Sequence, residues 1–287
     1  MSDLIKSNAP AFLTVAQEPA ATGKGSGLRQ RLQGYSGTIV TAAVIFALWE
    51  AIVVAFRVPQ FLVPAPSAIV VSLINGFAQA QYLYHCMVTV FEALSGFGIG
   101  AAIGLTLGIV IVLSAKIERI IYPYIVAIQS MPKVAIAPLL VVWFGFGYTS
   151  KIVVVTLVTL FPIMVNVVAG LKTVDQEKMD LMVGLSASRW QVMRYLRLPN
   201  ALPFVFAGLN TAIVYSVTAA IVGEFVGATR GLGFLILQAN YSMDIAAVFA
   251  LLSVLALVGI TLHWVVQFSE KKIVFWGKSQ DLRDIGG

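Results

Sequence analysis

The segment Lys172–Ala201 contains the stretch DLMVGLSASRWQVMRYLRLP at positions 180–199 and separates two long apolar runs. Its three arginines stand among scattered apolar side chains. By contrast, the run Ile152–Leu171 before it is uncharged, and the run Pro203–Val226 after it has a single acid. About 20 apolar residues are enough for a helix to cross the hydrocarbon core of a bilayer. The pattern therefore predicts two membrane-spanning helices joined by a long polar connection, Lys172–Ala201.

Within the connection, the sequence predicts two short helices on either side of Gly184. The first helix ends at Gly184, and Ser186 or Ser188 can cap the second. Apolar residues of the second helix recur at three-residue spacing, at Trp190, Met193 and Leu196. Two prolines are expected to end it before the next span, Pro199 and Pro203. Such a pair of helices would form a rigid surface projection that a soluble partner could grip.

Four further apolar runs complete a set of six: Gly37–Phe56, Met87–Leu113, Ile120–Phe144 and Ile245–Phe268. The third of the six is interrupted at Met131–Pro132, where proline removes a backbone donor. A broken helix at membrane depth needs protein or a water-filled cavity around it. The composition agrees, because 11% of residues are charged and soluble domains carry about 25%. The fold class is therefore predicted to be an all-α integral membrane protein with six transmembrane helices.

Four glycines of the second run recur at four-residue spacing: Gly96, Gly100, Gly104 and Gly108. Small residues at this spacing let two helices approach closely. We expect this stripe to pack against another helix of the same bundle, and the alternative is a dimer seam.

The distribution of basic residues predicts the orientation. With the N-terminus in the cytoplasm, 15 of the 19 lysines and arginines fall on cytoplasmic segments, as the positive-inside rule requires. We expect both termini to be cytoplasmic. Residues 1–36 would be a mobile tail, residues 37–270 the six-span domain with the connection at 172–201, and residues 271–287 a C-terminal tail.

Enzyme chemistry finds no support in the sequence. It contains no phosphate-binding Gly-x-x-x-x-Gly-Lys-Ser/Thr loop, no Gly-x-Ser-x-Gly elbow and no His-Glu-x-x-His pair. Cys86, His85 and His263 form no metal-ligand pattern. We predict no catalytic residue, no metal site and no cofactor. A stand-alone secondary transporter or channel, or a membrane scaffold, remains an alternative at this point.

The connection resembles the EAA loop of ABC import permeases, in which a Glu-Ala-Ala triplet precedes a glycine and a later Leu-Pro pair. The resemblance lies in Ser186–Gln191 and in Leu198-Pro199. Asp180, Leu181 and Met182 then take the place of the triplet, and Ser186 takes the place of the glycine. The acid is shorter, and both alanines are replaced.

The resemblance extends over residues 63–276 and looks like the nitrate/taurine/sulfonate branch of these permeases. The matching stretches include Met131-Pro132-Lys133, Trp143–Gly147, Ser150-Lys151, Phe161-Pro162-Ile163, Asn166, Gly223–Val226 and Gly231-Leu232-Gly233. It implies a type I ABC importer permease fold (MetI-like) in the bacterial inner membrane. It also implies a homodimer with its pathway on the two-fold axis, two cytoplasmic ATP-binding cassette subunits and a periplasmic substrate-binding protein.

The function implied is ATP-driven import of a small anionic or heteroaromatic solute, such as a sulfonate, taurine, nitrate, an aromatic acid or a vitamin precursor. ATP would be hydrolysed by the separate cassettes. The resemblance assigns coupling to the cassettes to the connection, at Asp180, Gly184, Ser186, Ala187, Ser188, Arg189, Trp190, Leu198 and Pro199. The sequence does not identify the solute.

Charged residues in the spans are candidates for the pathway, because intramembrane charge is costly and commonly functional. Lys133, beside the Pro132 break, could attract an anion or pair with a nearby carbonyl or acid. Glu224 could gate the outer mouth, or its hydrogen bonds could order the glycines after it. Glu92 lies near the end of its span, and its side chain is expected to snorkel to the membrane surface. The same interpretation applies to Glu50. The candidate pathway residues are Met131, Pro132, Lys133, Asn166, Tyr215, Glu224 and Phe225.

Overall fold

The computed structural model describes residues 26–276. All regular secondary structure in this part of the chain is helical, and it contains no strand. In chain order the helices are α1 (Ser26–Ala55), α2 (Pro66–Ala78), α3 (Gln81–Leu113), α4 (Ala115–Gln129), α5 (Ala137–Phe144), α6 (Tyr148–Lys172), α7 (Gln176–Gly184), α8 (Arg189–Val192), α9 (Leu198–Gly227), α10 (Leu232–Tyr241) and α11 (Ile245–Ile273). The chain divides into two compact units, one ending at Ala51 and one beginning at Ile52. The predicted tails lie largely outside the described residues, although α1 already begins at Ser26.

Helices α3, α6 and α9 pack against one another and form the centre of the second unit. Helix α6 is the most deeply buried of the long apolar helices, since half of the residues in its most apolar stretch are buried. Ile163 and Leu171 of α6 and Ala212 of α9 are fully buried in one apolar cluster. Helix α11 packs on α9, and the short helices α2 and α10 pack on α11.

The glycine stripe of α3 faces α6. A Cβ at Gly96 would lie 2.4 Å from the Cβ of Val155, and one at Gly104 would lie 2.7 Å from the carbonyl oxygen of Leu160. These distances leave no room for a methyl group. The expectation of close packing within one bundle is therefore confirmed.

The predicted break in the third span is also present. Helix α4 ends at Gln129, a 3₁₀ turn covers Lys133–Ile136, and α5 follows directly. The two halves are bent by 80°. Pro132 precedes the turn, as expected of a residue that cannot donate a backbone hydrogen bond.

The expectation that Pro199 and Pro203 end the second helix of the connection is wrong. A helical stretch runs from Arg189 to Gly227, with a π-helical turn at Met193–Arg197 in its first part. In an α-helix a proline ring clashes with the carbonyl four residues earlier. The π turn displaces that carbonyl for Pro199, so the helix continues into α9.

Four described helices are long and apolar enough to cross a membrane, and the bent pair α4–α5 raises the number to five. They correspond to five of the six predicted runs. The remaining run, Gly37–Phe56, coincides largely with α1, which ends at Ala55 and is not one of these helices. Six spans therefore stay a prediction. The sequence analysis did not predict α2 or α10, which have 13 and 10 residues.

Candidate coupling and translocation sites

The connection begins with a well-capped helix. The carboxylate of Asp175 accepts a hydrogen bond from the backbone N–H of Glu177 at 3.1 Å and so caps α7. Helix α7 ends at Gly184, as predicted. Asp180, aligned with the first residue of the family triplet, accepts a hydrogen bond from Gln176 at 2.9 Å.

The turn after α7 has a backbone conformation that favours glycine. Ser186 has φ of +54°, in the left-handed region that L-residues other than glycine seldom adopt. Gly184, by contrast, is the last helical residue. The strained position of the connection is therefore Ser186 and not Gly184.

Ser188, not Ser186, caps the second helix of the connection. Its hydroxyl accepts the N–H of Gln191 at 3.3 Å, and the Gln191 side chain accepts the N–H of Ser188 at 2.7 Å. This capping box fixes α8 after Ala187. Of the three apolar residues at three-residue spacing in this helix, only Met193 is buried, and Trp190 is 66% exposed.

Polar contacts tie the start of the connection to the bundle and join its two ends to each other. The ammonium of Lys172 pairs with the carboxylate of Glu118 in α4, and the side chain of Asn200 donates to the carbonyl of Thr173. Leu198 and Pro199 begin α9, and Arg189 begins α8. The candidate coupling residues thus lie in one continuous, anchored segment.

Lys133 lies at the break in the third span and holds the end of α4. Its ammonium donates to the carbonyl of Gln129, the last residue of α4, at 3.0 Å, and lies 5.0 Å from the centre of the Phe161 ring. The predicted pairing with a carbonyl is therefore observed. Met131 and Pro132 beside it are exposed.

The other pathway candidates lie on α6 and α9. Tyr215 and Phe225 are 50% and 41% exposed on α9. Asn166 of α6 is half-buried, and its amide donates to the carbonyl of Pro162 at 2.8 Å. The 3₁₀ turn at Lys133 packs against both of these helices, which places the break beside them.

Glu224 is fully buried and caps the N-terminus of α10. Its carboxylate accepts the N–H of Gly233 at 2.5 Å and the hydroxyl of Thr89 at 2.7 Å. Thr89 in turn accepts the N–H of Leu232 at 2.8 Å, and Nδ1 of His85 accepts the N–H of Gly231 at 2.9 Å. The first N–H groups of a helix have no acceptors within the helix. At the start of α10, side chains of α3 and α9 act as these acceptors.

Gly231 is required twice over at this contact. It has φ of +108°, and a Cβ on it would lie 2.2 Å from Cδ of Glu224. The hydrogen bonds of Glu224 therefore order the glycine turn that follows α9, which was one of its two predicted roles.

Lys151 belongs to the pair Ser150-Lys151 that carries part of the family resemblance, but the sequence did not indicate it as a site residue. It is 2% exposed, and its ammonium donates to the carbonyls of Phe146, Gly147 and Gly227 at 2.5, 3.1 and 3.1 Å. These bonds join the start of α6 to the end of α9. The available signal was its position directly before the apolar run at Ile152.

Glu92 joins the same group, which we call the polar cluster: His85, Thr89, Glu92, Lys151 and Glu224. Glu92 is 2% exposed, so the expectation that it snorkels to the surface is wrong. It faces a cleft of about 200 Å³ that Tyr148 and Arg230 also line. Hydrogen bonding to Tyr148 raises the pKa of Arg230, so this guanidinium keeps its charge.

The polar cluster and Lys133 are separate sites. Phe161, beneath Lys133, is ten residues after Lys151 in α6, or about 15 Å along a helix with 1.5 Å rise per residue. The cluster lies at the end of α6 and α9 opposite to the connection. Glu50, the remaining acid in a predicted span, is half-buried in α1.

Residues 96–275 match the family of binding-protein-dependent transport system inner membrane components. The riboflavin transport system permease protein of Chloroflexus aurantiacus is 34% identical over 85% of this chain and 91% of its own length. The formylaminopyrimidine transport permease protein of Halalkalibacterium halodurans is 32% identical over 83% and 94%. The taurine transport system permease protein of Escherichia coli is 28% identical over 83% and 89%.

Two solved structures share the fold. The MetNI methionine ABC transporter in inward-facing conformations matches 66% of this chain and 92% of its own, with a TM-score of 0.54 and 24% identity. An amino acid ABC transporter matches 70% of this chain and 97% of its own chain, with a TM-score of 0.59 and 15% identity. With its long apolar helices, the chain is a multi-pass inner-membrane protein that belongs to the binding-protein-dependent transport system inner membrane components, the permeases of ABC importers.

Proposed function

We propose that this permease imports a small anionic or heteroaromatic solute from periplasm to cytoplasm, driven by ATP hydrolysis in two separate cassette subunits. Two copies of the chain would form the pathway, and a periplasmic binding protein would deliver the solute. The choice of solute rests on the relatives, which are named for riboflavin, formylaminopyrimidine and taurine.

The connection is proposed as the docking surface for the cassette. The observation that supports this is its exposed apolar surface: Leu181, Val183, Leu185 and Trp190 are 62–69% exposed. These residues lie on or between short capped helices outside the long apolar spans. A cluster of exposed apolar side chains on such a segment marks an interaction site.

Both termini are proposed to be cytoplasmic, with residues 1–36 and 271–287 as tails on a permease domain at 37–270. The basic residues support this orientation. Lys271 and Lys272 end α11, while Arg189, Arg194 and Arg197 lie in the connection. The positive-inside rule assigns both segments to the cytoplasm.

The pathway is proposed to run along the exposed face of α9 and past the break at Met131, Pro132 and Lys133. Thr211, Tyr215 and Thr218 are exposed on α9 at spacings of four and three, which places them on one helix face. Polar groups in a span usually face a bundle interior or a water-filled cavity. Asn166, Glu224 and Phe225 remain candidates on the same proposal.

A substitution at Lys133 tests the pathway. Lys133→Met should leave the complex purifiable while uptake falls at least several-fold, because the cation beside the break is lost. Lys133→Arg is the control, since it keeps the charge and can still reach the Gln129 carbonyl. The assay uses whichever of taurine, an aliphatic sulfonate or riboflavin the unmodified transporter takes up. Unchanged uptake with Lys133→Met would remove Lys133 from the pathway.

A pair of tryptophans tests the docking surface. Trp190 in the connection and Trp264 in α11 are 66% and 67% exposed, so truncation removes the same side chain from equally open sites. Trp190→Ala should reduce co-purification of the cognate cassette at least several-fold, and Trp264→Ala should leave it unchanged. Equal retention of the cassette by both variants would contradict docking through Trp190.

A further inference from the structure

The polar cluster holds two acids and one lysine in a buried site, and the charges do not balance if both acids are ionised. Glu92 and Glu224 are 2% and 0% exposed, and Lys151 is 2% exposed. His85 accepts the N–H of Gly231 through Nδ1, so its ring is neutral. Arg230 lies at the rim of the cleft and is fully exposed to solvent. An unbalanced charge at this depth is very costly.

The hydrogen bonds assign the negative charge to Glu224. Its two oxygens accept the Thr89 hydroxyl and the Gly233 N–H, and the N–H of Phe234 also donates to it. The carboxylate therefore lies at the N-terminus of α10, where the helix dipole favours an anion. If Glu224 were protonated, its O–H group would lie beside the backbone N–H groups of Gly233 and Phe234, which are donors and cannot accept it.

Glu92 lies about one helical turn after Thr89 on α3, and the Thr89 hydroxyl donates to the Glu224 carboxylate, so both acids belong to one buried group. Among the described residues Lys151 is the buried cation of this group, and its ammonium donates to the carbonyls of Phe146, Gly147 and Gly227. One lysine balances one carboxylate, so one of the two acids must carry a proton. Because the oxygens of Glu224 accept hydrogen bonds, the protonated acid is Glu92.

The second oxygen of Glu92 points to the same conclusion. Among the described residues it has no hydrogen-bond partner, although it is buried. A buried carboxylate oxygen without a donor is far more costly than the carbonyl oxygen of a neutral acid. This oxygen belongs to a residue that lines the cleft beside Tyr148 and Arg230, which offers a route for the proton.

We infer that Glu92 is a proton-binding site: it carries a proton, and the single negative charge of the cluster lies on Glu224 and is balanced by Lys151. The cluster is then neutral. It joins α3, α6 and α9 to the start of α10 in this protonated form. This inference concerns the end of the bundle opposite to the connection and does not depend on which solute is carried.

Infrared spectroscopy of the purified permease in lipid tests the proton directly. The difference spectrum between the unmodified protein and Glu92→Gln should contain the carbonyl stretch of a protonated carboxylic acid, and this band should shift in deuterated buffer. Glu92→Gln should keep the thermal unfolding midpoint of the unmodified protein, because the amide is neutral and has nearly the shape of the protonated acid. Glu224→Gln should lower the midpoint, since an amide offers one oxygen where the carboxylate uses two.

Labelling of the unmodified protein is independent of how the variants fold. A hydrophobic carbodiimide reacts with protonated carboxyl groups, and mass spectrometry should locate its adduct on Glu92. Labelling of Glu224 in place of Glu92, labelling of neither, or a difference spectrum without the acid band would overturn the inference. So would a loss of stability in Glu92→Gln equal to that in Glu224→Gln.

Discussion

Ser186 adopts a backbone conformation that is unusual for an L-residue. Its φ of +54° costs an L-residue roughly 1–2 kcal/mol, and the neighbouring capping box of Ser188 and Gln191 fixes the turn in place. The turn between the two helices of the connection is therefore locally strained.

Replacing Ser186 with glycine should stabilise the permease by about 0.5–1 kcal/mol, because glycine adopts this conformation without strain but loses more chain entropy on folding. The measurement is the thermal unfolding midpoint of the purified protein. Ser188→Ala, two residues away, should have the opposite sign and cost about 1 kcal/mol through loss of the cap. A lower midpoint for Ser186→Gly would contradict the strain argument.

Residues whose partners are distant in sequence were the hardest to interpret. Glu92 is near one end of an apolar run, which suggested that it snorkels, but it is buried beside Glu224, more than 130 positions later. Lys151 precedes the run Ile152–Leu171 and is buried against carbonyls of both α9 and the turn before α6. A one-dimensional pattern shows that a charge borders the membrane. It does not show which carbonyls converge on that charge.

At the scale of elements, the close approach of α3 and α6 depends on the glycine stripe. Gly104→Ala would place a methyl group 2.7 Å from the carbonyl oxygen of Leu160, and a helix backbone cannot move aside cheaply. We expect a loss of about 1–3 kcal/mol in unfolding free energy. Gly98→Ala is the matched control in the same helix, because no atom lies within 4 Å of its new Cβ, and it should stabilise the protein by up to about 1 kcal/mol, since alanine loses less chain entropy in a helix. Equal effects of the two substitutions on the unfolding midpoint would contradict the packing.

Elements with a strong periodic or apolar signal were predictable, and those decided by tertiary contacts were not. The runs that became α3, α6, α9 and α11 are visible in the sequence, as is the break at Pro132. Helix α10 is short, and its N-terminus depends on Glu224, Thr89 and His85 from other helices. The helix continues through Pro199 because of a π turn, and the sequence pattern does not indicate that turn.

At the scale of the whole molecule, the orientation in the membrane determines which surface each partner meets. Reporter fusions at Arg189 and Lys278 should give a cytoplasmic signal, and fusions near Gln81 and Asn240 a periplasmic one, because the basic residues concentrate on the first pair of segments. A periplasmic signal at Arg189 would also exclude docking of a cytoplasmic cassette on the connection.

The connection is expected to transmit ATP hydrolysis to the permease, and the ATPase activity of the whole assembly reports this coupling. The assembly is reconstituted with the cassette and binding protein of the same organism, and ATP hydrolysis is measured with and without the binding protein. Ser186→Arg places a long cation at the exposed centre of the connection, between the two helices that would enter the cassette. The binding protein should stimulate hydrolysis by the unmodified assembly and should lose this effect with Ser186→Arg, while the permease still inserts and dimerises. Undiminished stimulation with Ser186→Arg would show that the connection does not couple ATP hydrolysis to the permease.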